Sequence, residues 1–313
     1  MNRTKCLSDF WRLDDLSDDR VAELASVLTG SDSLIGVMGS GVRATWSING
    51  QSETWWVRTN KGQSTEMMVF LDYSPLRELK PPFDGQSVDE VIGYAAHEGG
   101  HCLWSEPDKP QNIYLSMKLV WPTLPRAFQR AWNEGNNHPV DDGEGGTINP
   151  MLIELCRIQN ILEDAYIDTR VAKQWEVLGE HIHISRQKLQ ERRPFDFEAI
   201  ARQRTPDRND VLNLWISVAL YGTDLPKRMS AKVRRAMTGL LQLTSRAIAT
   251  HSGRARHGMA VDAAAILFKE FPTFQTPPEA QSQGPTGGQA SGAGGGAGGS
   301  GEKSEPGDGS GSG

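Results

Sequence analysis

The sequence predicts a mostly helical α+β fold, with a small N-terminal antiparallel sheet, one motif-bearing helix, and a helical subdomain after it. Three observations predict this. Residues 42–72 hold β-branched and aromatic runs, "VRATWSI", "ETWWVRT" and "TEMMVFLD", separated by the turn-like "NGQS" and "NKGQ". From Ser87 onward the chain reads as almost entirely helical. Residues 276–313 are Gly/Ser/Pro-rich and nearly devoid of apolar side chains. They cannot bury enough surface to offset ordering entropy, so they read as a flexible tail or linker.

These observations divide the chain into an N-terminal helical segment (1–34), the sheet with the motif helix (35–110), a helical subdomain (111–275) and the tail (276–313). Taken in order, a first helix spans 17–29, with Ser17 as N-cap and Gly30 as the stop. Gly36, Gly39 and Gly41 precede a strand with no helix after them, so they read as a turn and not a phosphate loop. "SVDEVIGYAAHEGGHCLW" opens a helix with a capping box, Ser87 with Glu90 three residues on. A helical stretch over 113–134 is interrupted by Pro122 and Pro125. "NNHPVDDGEGGTIN" is a polar loop, and Asn149-Pro150 starts a long helix to about Trp175. Further helices are expected near 181–192, 207–221, 229–250 and 257–270.

Composition narrows the function classes. Cys6, Cys102 and Cys156 are odd in number and widely spaced, which argues for a reducing compartment and against a disulfide framework. No apolar run suits a signal segment or a membrane span, so a cytoplasmic protein without a membrane partner is expected. A formal charge of −6 gives no electrostatic reason to expect nucleic acid.

The chemistry-bearing motif is His97-Glu98-Gly99-Gly100-His101. Histidines at i and i+4 lie about 40° apart on a helix, so both imidazoles reach one point. Glu98 sits about 100° round from His97, placed to act on water held by a metal and not to ligate it. Gly93 and Gly100 lie about 20° apart, with Ala96 beside them, a small-residue strip that would let another backbone approach. A sheet preceding such a helix, with "TEMMVFLD" as the edge strand for an extended substrate, matches the zincin layout. On these residues the sequence resembles a zincin metallopeptidase.

Catalytic zinc needs a third protein ligand. On the helix "NPMLIELCRIQNILEDAYIDTRVAKQW", Glu163 sits near the middle of an apolar arc, where an unpaired carboxylate would cost several kcal/mol. A metal would resolve that conflict; so would a basic partner, with Arg170 two turns on as the obvious one. Asp164 lies at the edge of the arc near Asn160 and Asp168, where hydrogen bonding to a ligand histidine is expected. Tyr94, Tyr166, His181 and His183 are candidate donors to a substrate oxyanion.

"NILEDAYID" (160–168) also resembles the Asn-x-Leu-Glu-Asp-x-x-Ile-Glu segment that follows His-Glu-x-x-His in a metallopeptidase-type family of bacteria and phages. That family is often joined to a von Willebrand A domain and is related to cobaltochelatase-type subunits. The resemblance covers roughly 66–175. It implies a gluzincin-like enzyme in which His97, His101 and Glu163 hold Zn²⁺ and Glu98 is the catalytic base for peptide hydrolysis. Asp168 stands where the family has Glu and Tyr166 where a basic residue is common, so the choice between Glu163 and Asp164 stays open. The same resemblance implies an alternative, a catalytically silent zinc-bearing adaptor working with a MoxR- or chelatase-like AAA+ ATPase. "FLDYSPL" (70–76) imitates a metal-adhesion loop, but Leu76 occupies its last position.

Overall fold

The computed structural model describes residues 18–48, 50–58, 65–106, 109–141, 146–192, 196–204 and 206–272. The expected cap Ser17 and the tail 276–313 lie outside them. The fold is mostly helical with one small mixed sheet, in agreement with the expected class.

Helix α1 (Asp18–Met38) runs straight through Gly30, where the sequence suggests a stop. An exposed glycine costs a helix about 1 kcal/mol. Burying Ile35 and Met38 beyond it contributes more, about 1.5–3 kcal/mol each. The helix ends at Gly39–Gly41 instead. Gly41 N–H donates to the Gly36 carbonyl at 2.7 Å, and Gly41 holds φ at +98°, a conformation glycine adopts without strain. By length and composition Asp19–Met38 would suffice to cross a membrane, contrary to the expectation of no such stretch. In this fold its Leu24, Ile35 and Met38 are buried against the sheet and the next helix.

Strands β1 (Ala44–Ser47), β2 (Glu53–Arg58) and β3 (Thr65–Asp72) form a sheet in the order β1-β3-β2. The β2–β3 pair is antiparallel, as the sequence suggests, but β1 runs parallel to β3. The sheet is therefore mixed, not antiparallel. β1 and β2 lie on opposite sides of β3, so a crossing and not a hairpin joins them; Asn49 of "NGQS" and all of "NKGQ" lie outside the described residues. Asp72 holds this crossing, accepting Gly50 N–H at 3.3 Å and Ser74 Oγ–H at 2.6 Å, while its own N–H donates to Ser52 Oγ at 2.9 Å. These bonds occupy the Asp72 carboxylate, so the metal-adhesion imitation is a structural turn. The apolar β3, with Val69 and Leu71 fully buried, takes the centre. The edge strand beside the motif helix is thus β2, not "TEMMVFLD".

Helix α2 (Gly85–Trp104) carries the motif. Its cap is Asp84, whose carboxylate accepts Ser87 N–H at 2.9 Å, three residues before the expected cap. Glu90 is buried and bonded to Tyr94 and Arg192. Three glycines of α2 meet three neighbours. A Cβ on Gly99 would lie 2.6 Å from Met38 Sδ of α1, and one on Gly100 would lie 2.6 Å from Ile167 Cγ2. One on Gly93 would overlap the His181 carbonyl.

Helices α3 (Lys109–Val120) and α4 (Arg126–Asn137) flank the Pro122 turn, as expected. A two-residue ladder, β4 (Val140–Asp141) with β5 (Thr147–Ile148), lies inside the stretch expected to be a polar loop, of which 142–145 fall outside the described residues. Helix α5 (Pro150–Gln174) is capped by Asn149, which accepts Met151 N–H at 2.8 Å. Helices α6 (Glu176–Glu191), α7 (Phe197–Arg202), α8 (Arg208–Leu220), α9 (Ala231–Ala249) and α10 (Gly253–Glu270) complete the chain; α7 was not expected. One face of α5, with Leu155, Ile158 and Leu162, packs into a core with Phe128, Trp215 and Phe268. Further along, Ile167 and Val171 pack with Ala96 of α2 and Ile182 of α6. The site lies where α2, α5 and α6 meet.

Candidate metal centre

The i, i+4 spacing on α2 brings His97 and His101 together as expected, their Nε2 atoms 3.1 Å apart. Asp164 of α5 completes the group. Its Oδ1 lies 3.4 Å from His101 Nε2 and 3.8 Å from His97 Nε2. These three side chains form a group able to hold a metal ion.

Glu163, the first-named third ligand, turns elsewhere. Both its oxygens sit in the guanidinium fork of Arg256, at 2.7 and 2.9 Å. Arg256 is fully buried and stacks on the Tyr166 ring at 3.8 Å. The sequence-level conflict was real, but a basic partner resolves it. That partner is not Arg170, which lies over the Trp104 ring at 5.3 Å. Helix geometry explains the exchange of neighbours. With Glu163 at 0°, Asn160, Asp164, Ile167, Asp168 and Val171 fall between about 40° and 140°. Ile167 and Val171 touch Gly100 of α2, so this sector faces α2 and Asp164 is near its middle.

Each histidine is oriented through its other nitrogen. His97 Nδ1 lies 2.6 Å from Asp168 Oδ1, and Arg186 Nε donates to Asp168 Oδ2 at 3.0 Å. His101 Nδ1 lies 2.8 Å from Ser105 Oγ, which donates to Glu163 Oε1 at 3.0 Å. Carboxylates only accept, so these bonds assign the proton to Nδ1 in both rings. Both Nε2 atoms then converge with an Asp164 oxygen, and the Arg186 guanidinium borders the group, its Nη2 3.4 Å from His97 Nε2 and 3.5 Å from Asp164 Oδ2. Nitrogens in a tetrahedral zinc site with bonds of about 2.0–2.1 Å would stand about 3.3–3.4 Å apart, close to what is seen. The donor set fits a borderline metal with imidazole and oxygen ligands.

The charged groups of the site bear on one another. Burial acts to raise the Asp164 pKa, but the His101 bond and the charges of His97 and Arg186 hold it well below the usual carboxylate range. Asp168 is likewise held down, burial being outweighed by Arg186 and His97. Burial and the Arg186 charge work to lower the His97 pKa, yet Asp168 and Asp164 push it above its ordinary value.

Glu98 is buried and aimed at the sheet, where Thr54 of β2 donates to its Oε2 at 2.7 Å. Behind it, burial and then the Glu98 charge push the Cys102 thiol up to about 12, so this cysteine is inert. The other candidates scatter. Asn160 accepts a bond from Lys109. Tyr94 bonds Glu90 and Arg192. His181 pairs with Asp89 at 3.3 Å, His183 bonds Gln187, and the Tyr166 hydroxyl faces His251. None of these is brought to the histidines as an oxyanion donor.

Sequence reasoning missed Thr54, Ser105, Arg186 and Arg256. Ser105 had a usable signal, four residues after His101 at the helix end; the two arginines, 89 residues from His97 and 93 from Glu163, had none. Comparison with protein-family models, curated proteins and solved structures finds no match.

Proposed function

We propose that this chain is a zinc-dependent metallopeptidase with a His97, His101 and Asp164 ligand set. The observation that carries the reading is the convergence of His97, His101 and Asp164 on one point, on the helix that also carries Glu98. Zinc held there by His97, His101 and Asp164 would supply a Lewis acid able to polarise a carbonyl and acidify water. Asp168 and Ser105 keep the two rings in the Nδ1–H tautomer, which leaves Nε2 for the metal. Thr54 fixes one oxygen of Glu98, and the carboxylate takes a proton from the attacking water and returns it to the leaving amine. The edge position of β2 offers an unpaired backbone on which an extended peptide can be aligned. The reading keeps the expected zincin chemistry with Asp164 in place of Glu163.

The test is Glu98→Gln. Zinc content should stay at the wild-type level while cleavage of a peptide library disappears, a loss of at least about 100-fold for a general base. Cleavage persisting at the wild-type rate in Glu98→Gln would refute the mechanism.

A further inference from the structure

The cations of the site differ in what they hold. Arg186 holds Asp168 and Arg256 holds Glu163. Lys109, at the start of α3, holds no carboxylate among the described residues; its Nζ donates to the neutral side chain of Asn160. It is only half-buried, whereas Asn160 is buried. Asn160 lies one turn before Asp164 in the same sector of α5, about 6 Å along the helix axis. The Lys109 charge is felt by Glu163 and Cys156 on that stretch of helix. The Glu163 carboxylate is already filled by Arg256, Ser105 and Gln159. Lys109 thus stands one turn from the metal group, anchored through one of three donors, with its charge unpaired. A cation so placed recruits an anion.

We infer that Lys109, positioned by Asn160, is an anion subsite of the metal centre and binds a carboxylate of the peptide substrate. The inference rests on the metallopeptidase reading. The carboxylate is a chain terminus or an acidic side chain, and the two demand different probes.

Three small zinc-chelating hydroxamates separate them when titrated against the zinc-loaded full chain. One is joined to alanine with a free C-terminal carboxylate, the second is the same compound ended as an amide, and the third is joined to aspartate amide. Wild type should bind one of the two acids at least about 10-fold more tightly than the neutral amide, and which acid wins identifies the carboxylate. Lys109→Met should erase that preference and leave the neutral amide's affinity unchanged, while Lys109→Arg keeps the preference. Equal affinity of wild type for all three overturns the subsite and leaves the metal reading standing. A chain that takes up no zinc and binds none of the three overturns both.

Discussion

Glu163 and Asp164 are neighbours in sequence, yet about 100° of helix rotation gives them opposite tasks. The sequence showed that a carboxylate at position 163 sat among apolar side chains and needed a partner. It did not show the partner, because Arg256 lies 93 residues away on another helix. The structure buries Arg256 fully and sets its guanidinium against both oxygens of Glu163. Breaking a buried pair from one side leaves an uncompensated charge, so Glu163→Gln should lower the unfolding free energy by about 3–5 kcal/mol. Urea denaturation of the metal-free protein measures this, and a loss below about 1 kcal/mol would show that the pair is not structural. The double change Glu163→Gln with Arg256→Met should recover part of the loss, since it removes the stranded cation.

At the scale of elements, the glycines of α2 are spacers against neighbouring chains. The small-residue strip was legible in the spacing of Gly93, Ala96 and Gly100, and α5 does approach Gly100. Gly99 became intelligible only with α1, because its neighbour Met38 lies on a helix the sequence seemed to end at Gly30. The two kinds of glycine should respond oppositely to alanine. Gly30 is in a helix with nothing within 4 Å of an added Cβ, so Gly30→Ala should raise stability by about 0.5–1 kcal/mol. Gly93→Ala would drive a methyl into the His181 carbonyl and should lower it by about 1–3 kcal/mol. Thermal unfolding of the two variants checks the contrast; equal shifts of the same sign would contradict it. The sheet followed the same pattern. The strands themselves were legible from residue type, but the parallel β1–β3 pairing depended on Asp72 holding a crossing that no short-range rule describes.

At the scale of the whole molecule, α5 joins a large helical core to a smaller one shared with α1, α2 and α6, and the metal group lies along its length. Buried polar groups thread this region, and one gives it a pH signature. His257 is 2% exposed, and its Nδ1 has no hydrogen-bond partner. Burial pushes its pKa down to about 4, against about 6.5 in an unfolded chain. The unfolded state therefore binds a proton that the folded state refuses. Stability is full above pH 6.5 and falls as the pH drops from 6.5 towards 4. His257→Gln should flatten that limb, so wild type should lose about 2 kcal/mol more than the variant between pH 7 and 4.5. Parallel pH profiles for the two proteins would assign the acid sensitivity elsewhere.

The central claim is that His97, His101 and Asp164, and not Glu163, hold a zinc ion. Its most direct test is the zinc content of purified, folded protein, measured for wild type, Asp164→Ala and Glu163→Gln. The account predicts about one equivalent in wild type, near-complete loss in Asp164→Ala, and retention in whatever Glu163→Gln remains folded. A zinc-free wild type, or an Asp164→Ala variant that binds zinc as tightly as wild type, would contradict it.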